Sequence, residues 1–530
     1  MKAVFVTPPG DEGPPKLDLQ YEPMGILFMT AALRASSIDV VCVDAVLLEL
    51  SVDATIEALR DHLDAGLIGF AVVGANQIDA TAAITRSLRN AGYRGLICQG
   101  GPAATFLAST ILELDDPPDL IVRGEADLTI LELCDKIAKR EEWRSMRGIA
   151  YRAAGETRVN PQPFLVEDLD ELRWPARDFA PLAMRLGNPL TLITSRGCWA
   201  KCTFCNTPTF YAQSPGKVWR TRSATDVVAE VRSLVETFHA TDFQIFDDVF
   251  IGSGALGRRR ALDIAAGFKS LPTPVSFFFM TRAPEVNKEV FTELRAAGLW
   301  STCIGFESFS KTQLERLHKG SSIAVNRRAY EILVDVGIPD IRMGNILFDP
   351  DSTLDEVRES LAFYFDAGGI NPVRARNAMT IDHETPIYHR LRKEGRLGGD
   401  WRGYTYTFAD ARVSAMLNGA RNVLTPLSAI DTRISELKRT HHRNPRLLEV
   451  CLSFDRALGR VALEVLCTLE RAVRREIPND SLAVLVGELA DEVDTQVSQF
   501  NDRLDWFAAL IRSLLNVPTA SPQALRPSTI

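Results

Sequence analysis

The segment Ser195-Arg-Gly-Cys-Trp-Ala-Lys-Cys-Thr-Phe-Cys-Asn-Thr-Pro208 carries Cys198, Cys202 and Cys205 at the spacing CxxxCxxC. Three thiolates this close in sequence can grip one metal centre, and soft sulfur ligands favour zinc or iron–sulfur. A four-ligand zinc knuckle needs a further donor. The nearest candidates, His239 and Cys303, lie far downstream. Three ligands suit a cubane of four irons with one iron open to a small molecule. The competing reading is three unrelated core thiols, since free cysteine is often buried. The triplet follows an apolar strand and interrupts it at Gly197, which favours a ligand loop.

The motif resembles the signature of the radical S-adenosylmethionine (SAM) enzymes, and Phe204 before the third cysteine fits that pattern. The preceding Ser-Arg-Gly is the form of members with an N-terminal cobalamin-binding domain. The resemblance implies a [4Fe–4S] cluster held by Cys198, Cys202 and Cys205, with SAM chelated on the open iron. One electron then cleaves SAM to methionine and a 5′-deoxyadenosyl radical, which abstracts hydrogen from an unactivated carbon. The protein positions these groups and excludes water. The resemblance also implies a donor of that electron, of flavodoxin or ferredoxin type.

A chain of 530 residues exceeds one ordinary core and points to three or four domains. Its net charge of −8 argues against nucleic acid as a main partner. The N-terminal apolar run is too short for a signal peptide, and no apolar run reaches the length of a membrane span. Nine cysteines, mostly scattered singly, do not form a disulfide framework. The expectation is a soluble, cytoplasmic protein.

Over residues 1–145, short apolar runs alternate with helical patterns, which predicts a doubly wound parallel sheet of Rossmann type. Ligands on such sheets bind at the carboxyl ends of the strands. Those ends carry Thr7-Pro8-Pro9, Asp44, Gly74-Ala75-Asn76, Gly100-Gly101-Pro102 and Arg123-Gly124-Glu125. A Gly-Gly pair there is either a turn or a close approach to a ligand. The arrangement resembles a cobalamin-binding domain, with Gly100 and Gly101 as implied contacts. It departs from the common DxHxxG pattern, because Asp44 to Leu50 holds no histidine. Cobalt would therefore lack a histidine ligand from this loop.

Residues 146–188 read as a linker, and Trp174-Pro175-Ala176-Arg177-Asp178 as an inter-domain clamp. Residues 189–395 show six strand–helix units, the sixth strand at Pro372–Met379, which predicts a partial (β/α)6 barrel. Polar residues close its strands: Asp247 and Asp248, Arg282, Glu307 and Ser308, Asn345 and Asp349, Asp382 and His383. Each alone reads equally as a turn residue or helix cap. Arg282 could neutralise the methionyl carboxylate of SAM or a substrate anion. By resemblance, Asp248 or Asp247 binds the SAM amino group, and Glu307 and Ser308 reach ribose or carboxylate. Asn345 and the Phe204 backbone border the adenine. Asp-Asp stands where many members have Gly-Glu, and Phe348-Asp349-Pro350 where Gly-x-Pro is frequent. Cys303, in mid-strand, reads as core.

Residues 396–530 predict a mostly helical domain, interrupted near Pro445 and Pro478, with an unstructured end at 516–530. The aromatic run after Gly398 reads either as a cap on the barrel mouth or as a packed hairpin. The leading expectation is cobalamin-dependent C-methylation of a small or carrier-bound molecule. Radical cyclisation, dehydrogenation or rearrangement is the alternative. A structural or electron-transfer cluster in a binding protein is the reading from another class.

Overall fold

The computed structural model describes residues 1–10 and 21–515. The expected unstructured end, 516–530, lies outside them. The chain divides into two compact units. The first comprises Met1–Ile346 and Met379–Thr407, the second Leu347–Ala378 and the chain from Phe408 onward.

The first unit holds two parallel sheets. In one, β1 (Lys2–Thr7), β2 (Asp39–Asp44), β3 (Leu67–Ala71), β4 (Leu96–Gly100) and β5 (Leu120–Val122) lie in the order 2-1-3-4-5 and run parallel. The order reverses between β1 and β3, the position where doubly wound sheets open a ligand crevice. Gln77 bridges that point. Its amide nitrogen donates to the Pro8 carbonyl at 2.8 Å, and its oxygen accepts from Val73 N at 2.8 Å. Both faces are covered by helices, and the strands are accordingly near-continuous apolar runs such as Ala3-Val-Phe-Val6.

The linker expectation needs correction. β6 (Ile149–Ala153) and β7 (Glu156–Val159) extend this sheet antiparallel from β5. Ile149, Ala150 and Tyr151 are buried, so the hairpin has a core face that its mixed sequence disguised. The remainder does clamp. Arg177 donates to Glu22 Oε2 at 2.9 Å, the Thr191 carbonyl at 2.9 Å and Glu230 Oε1 at 2.7 Å. Trp174 Nε1 donates to Asp226 at 2.9 Å.

The second sheet contains β8 (Leu190–Leu192), β11 (Asp242–Ile245), β12 (Ser276–Arg282), β13 (Leu299–Glu307) and β14 (Asp340–Asn345), ordered 14-13-12-11-8 and all parallel. A short ribbon, β9 (Ser195–Arg196) with β10 (Arg220–Thr221), springs from the end of β8. Helices pack on one face of this sheet's centre. Phe277 meets Phe268 edge-on at 5.2 Å, and Phe279 meets Phe291 at 5.9 Å, both partners on helices. Because side chains alternate along a strand, Phe278, Met280 and Arg282 occupy the opposite face.

The sixth expected strand does not form. Pro372–Ala375 is a short helix, and only an isolated bridge, Phe348 to Ala378, remains. Pro372 lacks a ladder donor and suits a first helical turn, with Asn371 capping Arg374 N at 3.1 Å. The helix Leu354–Ala367 belongs to the second unit with the C-terminal helices rather than to the core domain as expected. Those helices are Ala411–Leu424, Leu427–His441, Pro445–Arg474 and Asn479–Leu515, broken at Pro426, Pro445 and Pro478. Gly369 lies so close to Gly459 that a Cβ would come within 2.7 Å of its backbone. Arg358 and Arg474 both bind the buried Glu470.

The aromatic run forms a packed hairpin in the first unit, β15 (Leu397–Asp400) with β16 (Gly403–Tyr406). Among the described residues no helix is long and apolar enough to cross a membrane.

Candidate active site

The cysteine loop is built from the end of β8 outward. The Asp247 carboxylate is buried and fully engaged by this start: Thr194 N and Oγ1 each donate to it at 2.6 Å, and Ser195 Oγ at 2.7 Å. Its neighbour Asp248 is open to solvent and accepts from Gly197 N at 2.9 Å. Of the two expected ligand carboxylates, one therefore secures the strand exit and the other remains accessible. Gly197 holds a φ of +82°, and a Cβ there would sit 2.0 Å from the Val218 carbonyl oxygen. Gly197→Ala is expected to displace the loop and lower iron incorporation after reconstitution by more than half, read by iron analysis and visible absorbance. Wild-type iron content in that variant would contradict the role given to this turn.

The far end of the loop is fastened to two other segments. Thr203 N donates to the Leu317 carbonyl, and Ile387 N to the Thr203 carbonyl, each at 3.0 Å. Phe204 packs in an apolar cluster with Ile346, Met379, Ile381, Tyr388 and Tyr404. His383 Nδ1 meets the Tyr404 hydroxyl at 2.5 Å, so His383 and the aromatic hairpin join one assembly beside the loop.

Cys202 is buried, and Cys198 and Cys205 are half-buried. Desolvation raises the Cys198 pKa and pushes Cys205 up to about 11, and the three thiols are electrostatic neighbours. Iron binding deprotonates such thiols outright and releases the protons. Among the described residues no three His, Cys, Asp or Glu side chains converge on one ion-sized point.

Arg282 Nη1 lies 3.9 Å from Cys202 Sγ, and its other terminal nitrogen donates to the Lys319 carbonyl. Lys319 is itself buried, and its ammonium binds Glu307 Oε1 at 2.8 Å. Glu307 has a left-handed φ of +63°, a costly conformation for a non-glycine residue. The pairing register slips between Gly305 and Glu307, and this bulge aims the carboxylate at the ammonium. Ser308 is buried and accepts from Ser310 N at 2.9 Å. Among the described residues the buried Asn345 side-chain nitrogen has no acceptor. An orphaned donor at the strand end is what a bound polar cofactor would satisfy. Asp382 is half-buried, and desolvation raises its pKa.

Sequence reasoning brought the cysteines, Asp248, Arg282, Glu307 and Asn345 to one end of the sheet, where the structure places them. It missed Lys319 and Asn326. Asn326, fully buried, clamps the end of β13 through the Phe306 and Ser308 carbonyls at 3.1 and 2.9 Å. The visible signal for Lys319 was a lysine followed by Gly320, whose φ is +63°.

The first sheet presents its carboxyl end to the same loop. Glu125 binds Arg220 through two contacts of 2.7 and 2.8 Å, and Asp127 binds Arg196 at 2.7 and 3.0 Å. Burial disfavours the Asp127 charge, but Arg196 and Arg220 outweigh it and hold the pKa below the ordinary carboxylate value. Phe106 meets Phe210, on the helix after Cys205, at 6.0 Å. The Arg123-Gly124-Glu125 segment is thus a docking surface for the cysteine ribbon. Gly101, at φ +100°, is demanded by its neighbour strand, since a Cβ would lie 2.7 Å from the Val72 carbonyl oxygen. Asp44 turns into its own loop, accepting from Val46 N and Leu47 N, and burial pushes its pKa up to about 6. Among the described residues the buried Gln99 oxygen in β4 has no donor, and Val73, just past the end of β3, is exposed. These features fit a large ligand over this crevice. A pocket lined by Ala31, Trp174 and Asp226 lies apart from all of these residues.

Residues 192–364 match the radical SAM superfamily, and residues 16–134 match the B12 binding domain. An uncharacterised methyltransferase, PH0819, of Pyrococcus horikoshii is 25% identical over 68% of this chain and 77% of its own length. The anaerobic magnesium-protoporphyrin IX monomethyl ester cyclase of Rubrivivax gelatinosus is 24% identical over 64% of this chain and 61% of its own. The structure of the cobalamin-dependent SAM radical enzyme OxsB, with aqua-cobalamin and SAM bound, is similar in fold at a TM-score of 0.72. That likeness covers 98% of this chain and 82% of OxsB at 19% identity. A radical SAM domain implies a [4Fe–4S] cluster and SAM, and a B12-binding domain implies cobalamin. The chain carries a B12-binding domain followed by a radical SAM domain.

Proposed function

We propose that the chain is a cobalamin-dependent radical SAM methylase acting on an unactivated carbon of a small or carrier-bound molecule. When bound, the cluster, SAM and cobalamin supply reductive SAM cleavage and methyl delivery. This chain's residues hold and orient them. Cys198, Cys202 and Cys205 bind the cluster, and Asp248, the accessible member of its pair, takes the SAM amino group. Arg282 and the Lys319–Glu307 pair address carboxylate and ribose, with Ser308 shaping that strand end. Asn345 and the Phe204 backbone border the adenine. Gly100 and Gly101 belong to the cobalamin crevice, Gly101 by letting β3 and β4 close on one another. Asp247 positions the loop and touches no ligand.

The observation that carries the reading is the facing of the two ligand-binding ends. Glu125 and Asp127 lock the B12 module onto Arg196 and Arg220, the residues flanking the turn into the cysteine loop. The residues that would hold cobalamin and those that would hold the cluster are thereby kept on facing ends of the two modules. Cyclisation without methyl transfer is favoured by the relative from Rubrivivax gelatinosus, of which the chain spans about three-fifths. The alignment with the methyltransferase extends over more of that protein.

Anaerobic loading with hydroxocobalamin followed by desalting tests the first half of this reading. Retained cobalamin absorbance is expected at about one equivalent per chain. In a substrate screen, the product gains one methylene unit by mass. Absence of retained cobalamin, or a product with no added carbon, would transfer the reading to the non-methylating reaction. The reductant is proposed to be a small flavodoxin- or ferredoxin-type protein.

A further inference from the structure

The face of the core sheet that bears Phe278, Met280 and Arg282 contains a charged group that the SAM site does not use. Parallel register pairs Met280 with Cys303 and Cys303 with Arg342, so these three side chains share the face that bears Arg282. Arg282 pairs with Gly305, two residues further along β13. Arg342 therefore lies one side-chain layer, about 7 Å along the strand, deeper than the arginine beside Cys202.

Arg342 is fixed along one edge only. Nε donates to Asp340 Oδ2 at 2.9 Å, and Ser301 Oγ donates to the same oxygen at 2.6 Å. The guanidinium lies over the Phe278 ring at 4.9 Å. Among the described residues neither terminal nitrogen, Nη1 nor Nη2, has a protein acceptor, and the side chain is 29% exposed. A guanidinium held by one edge and stacked on an aromatic face presents a rigid fork to whatever lies before it. On the same face, just past the end of β11, Phe246 is 42% exposed, and the half-buried Tyr21 meets its ring at 4.8 Å in a tilted arrangement. An exposed aromatic ring on the face that bears an open cationic fork is not a packed core.

We propose that Arg342 anchors an oxyanion of the substrate, a phosphate or carboxylate on a molecule with an apolar body that rests against Phe246 and Tyr21. The assignment of this ligand as substrate rests on the radical SAM reading; the anion site itself rests on the geometry of the face. Anchored one layer below the SAM site, such a molecule extends its apolar body toward the end of the sheet where the radical is made.

Protection of the half-buried Cys303 thiol, the strand neighbour of Arg342, provides a local readout. Full-length, cluster-reconstituted protein is alkylated in the presence of phenyl phosphate, benzoate or benzyl alcohol, and the Cys303 peptide is followed by mass. At least one of the two anions is expected to slow modification about tenfold or more, and their relative strength tells phosphate from carboxylate. The neutral alcohol is expected to have little effect. Arg342→Met should raise the half-protecting concentration at least about tenfold. Arg342→Lys keeps a charge for Asp340 but lacks the planar fork, and should weaken protection even if the methionine variant fails to fold. Protection by neither anion, equal protection by the alcohol, or unchanged protection in a folded variant would overturn the proposal. The same preparations are assayed for 5′-deoxyadenosine. Its formation without anion protection removes the anchor alone. Its absence removes the enzymatic reading, while protection would still establish the anion site.

Discussion

Cys202→Ala eliminates 5′-deoxyadenosine formation and leaves the B12 module folded. Cys202 is the most buried of the three ligands and lies nearest the Arg282 guanidinium. Loss of groups that merely support a metal ligand costs 10- to 100-fold, so loss of the ligand itself is expected to cost about a hundredfold or more. The packing penalty is small by comparison, about 1 kcal/mol for one small buried side chain. The core of the first sheet draws on Val4, Val6, Ile68, Phe70 and Ile97, none of which contacts the loop through that thiol. Circular dichroism and retained cobalamin should therefore match wild type while the iron-dependent absorbance falls. Full SAM cleavage by this variant would remove the cysteine triplet from the mechanism.

The second large effect is on the junction between the modules. The Arg220 side chain is 1% exposed and its partner Glu125 is 6% exposed. Arg220 also donates to the Val166 carbonyl at 2.8 Å. A buried pair contributes little net stability compared with an apolar replacement of both partners, but removing one partner strands the other charge. Arg220→Met should therefore destabilise the protein by about 3–5 kcal/mol, a large share of a typical domain's stability. Arg196 lies 3.5 Å from Glu125 and softens the loss. Combining Arg220→Met with Glu125→Gln should recover part of it, since the uncompensated carboxylate is then gone. Thermal unfolding of the two single variants and the double variant measures this coupling. Additive losses, or a change in Arg220→Met no larger than that of a surface substitution, would contradict the docking role.

The parts of this molecule readable in the sequence are those encoded by local pattern. The alternation of apolar runs and helical stripes fixes both parallel sheets, because strands buried on two faces read as continuous apolar segments. The cysteine triplet is legible because its spacing has few other uses. The β6–β7 hairpin was hidden because Arg152, Glu156 and Arg158 give an edge element the composition of a linker. The missing sixth strand was hidden because Pro372 fits both a strand start and a helix start, and only the packing of Ile370 and Ala375 decides between them. Asp247 and Asp248 could not be separated, since adjacent residues at a strand end differ only in which way each points. Lys319 and Arg342 are tertiary facts. A buried lysine is identified by the glutamate it meets, here across a turn and a bulge, and a mid-strand arginine by the face it occupies.

The most direct measurement of the central claim is the pair of nucleosides released by one anaerobic preparation. The protein is loaded with iron, sulfide and cobalamin, given SAM and a low-potential reductant, and its products are separated. Both 5′-deoxyadenosine and S-adenosylhomocysteine are expected, the first lost in Cys202→Ala and the second lost when cobalamin is withheld. S-adenosylhomocysteine formed equally without cobalamin, or no 5′-deoxyadenosine from fully loaded protein, would contradict that claim.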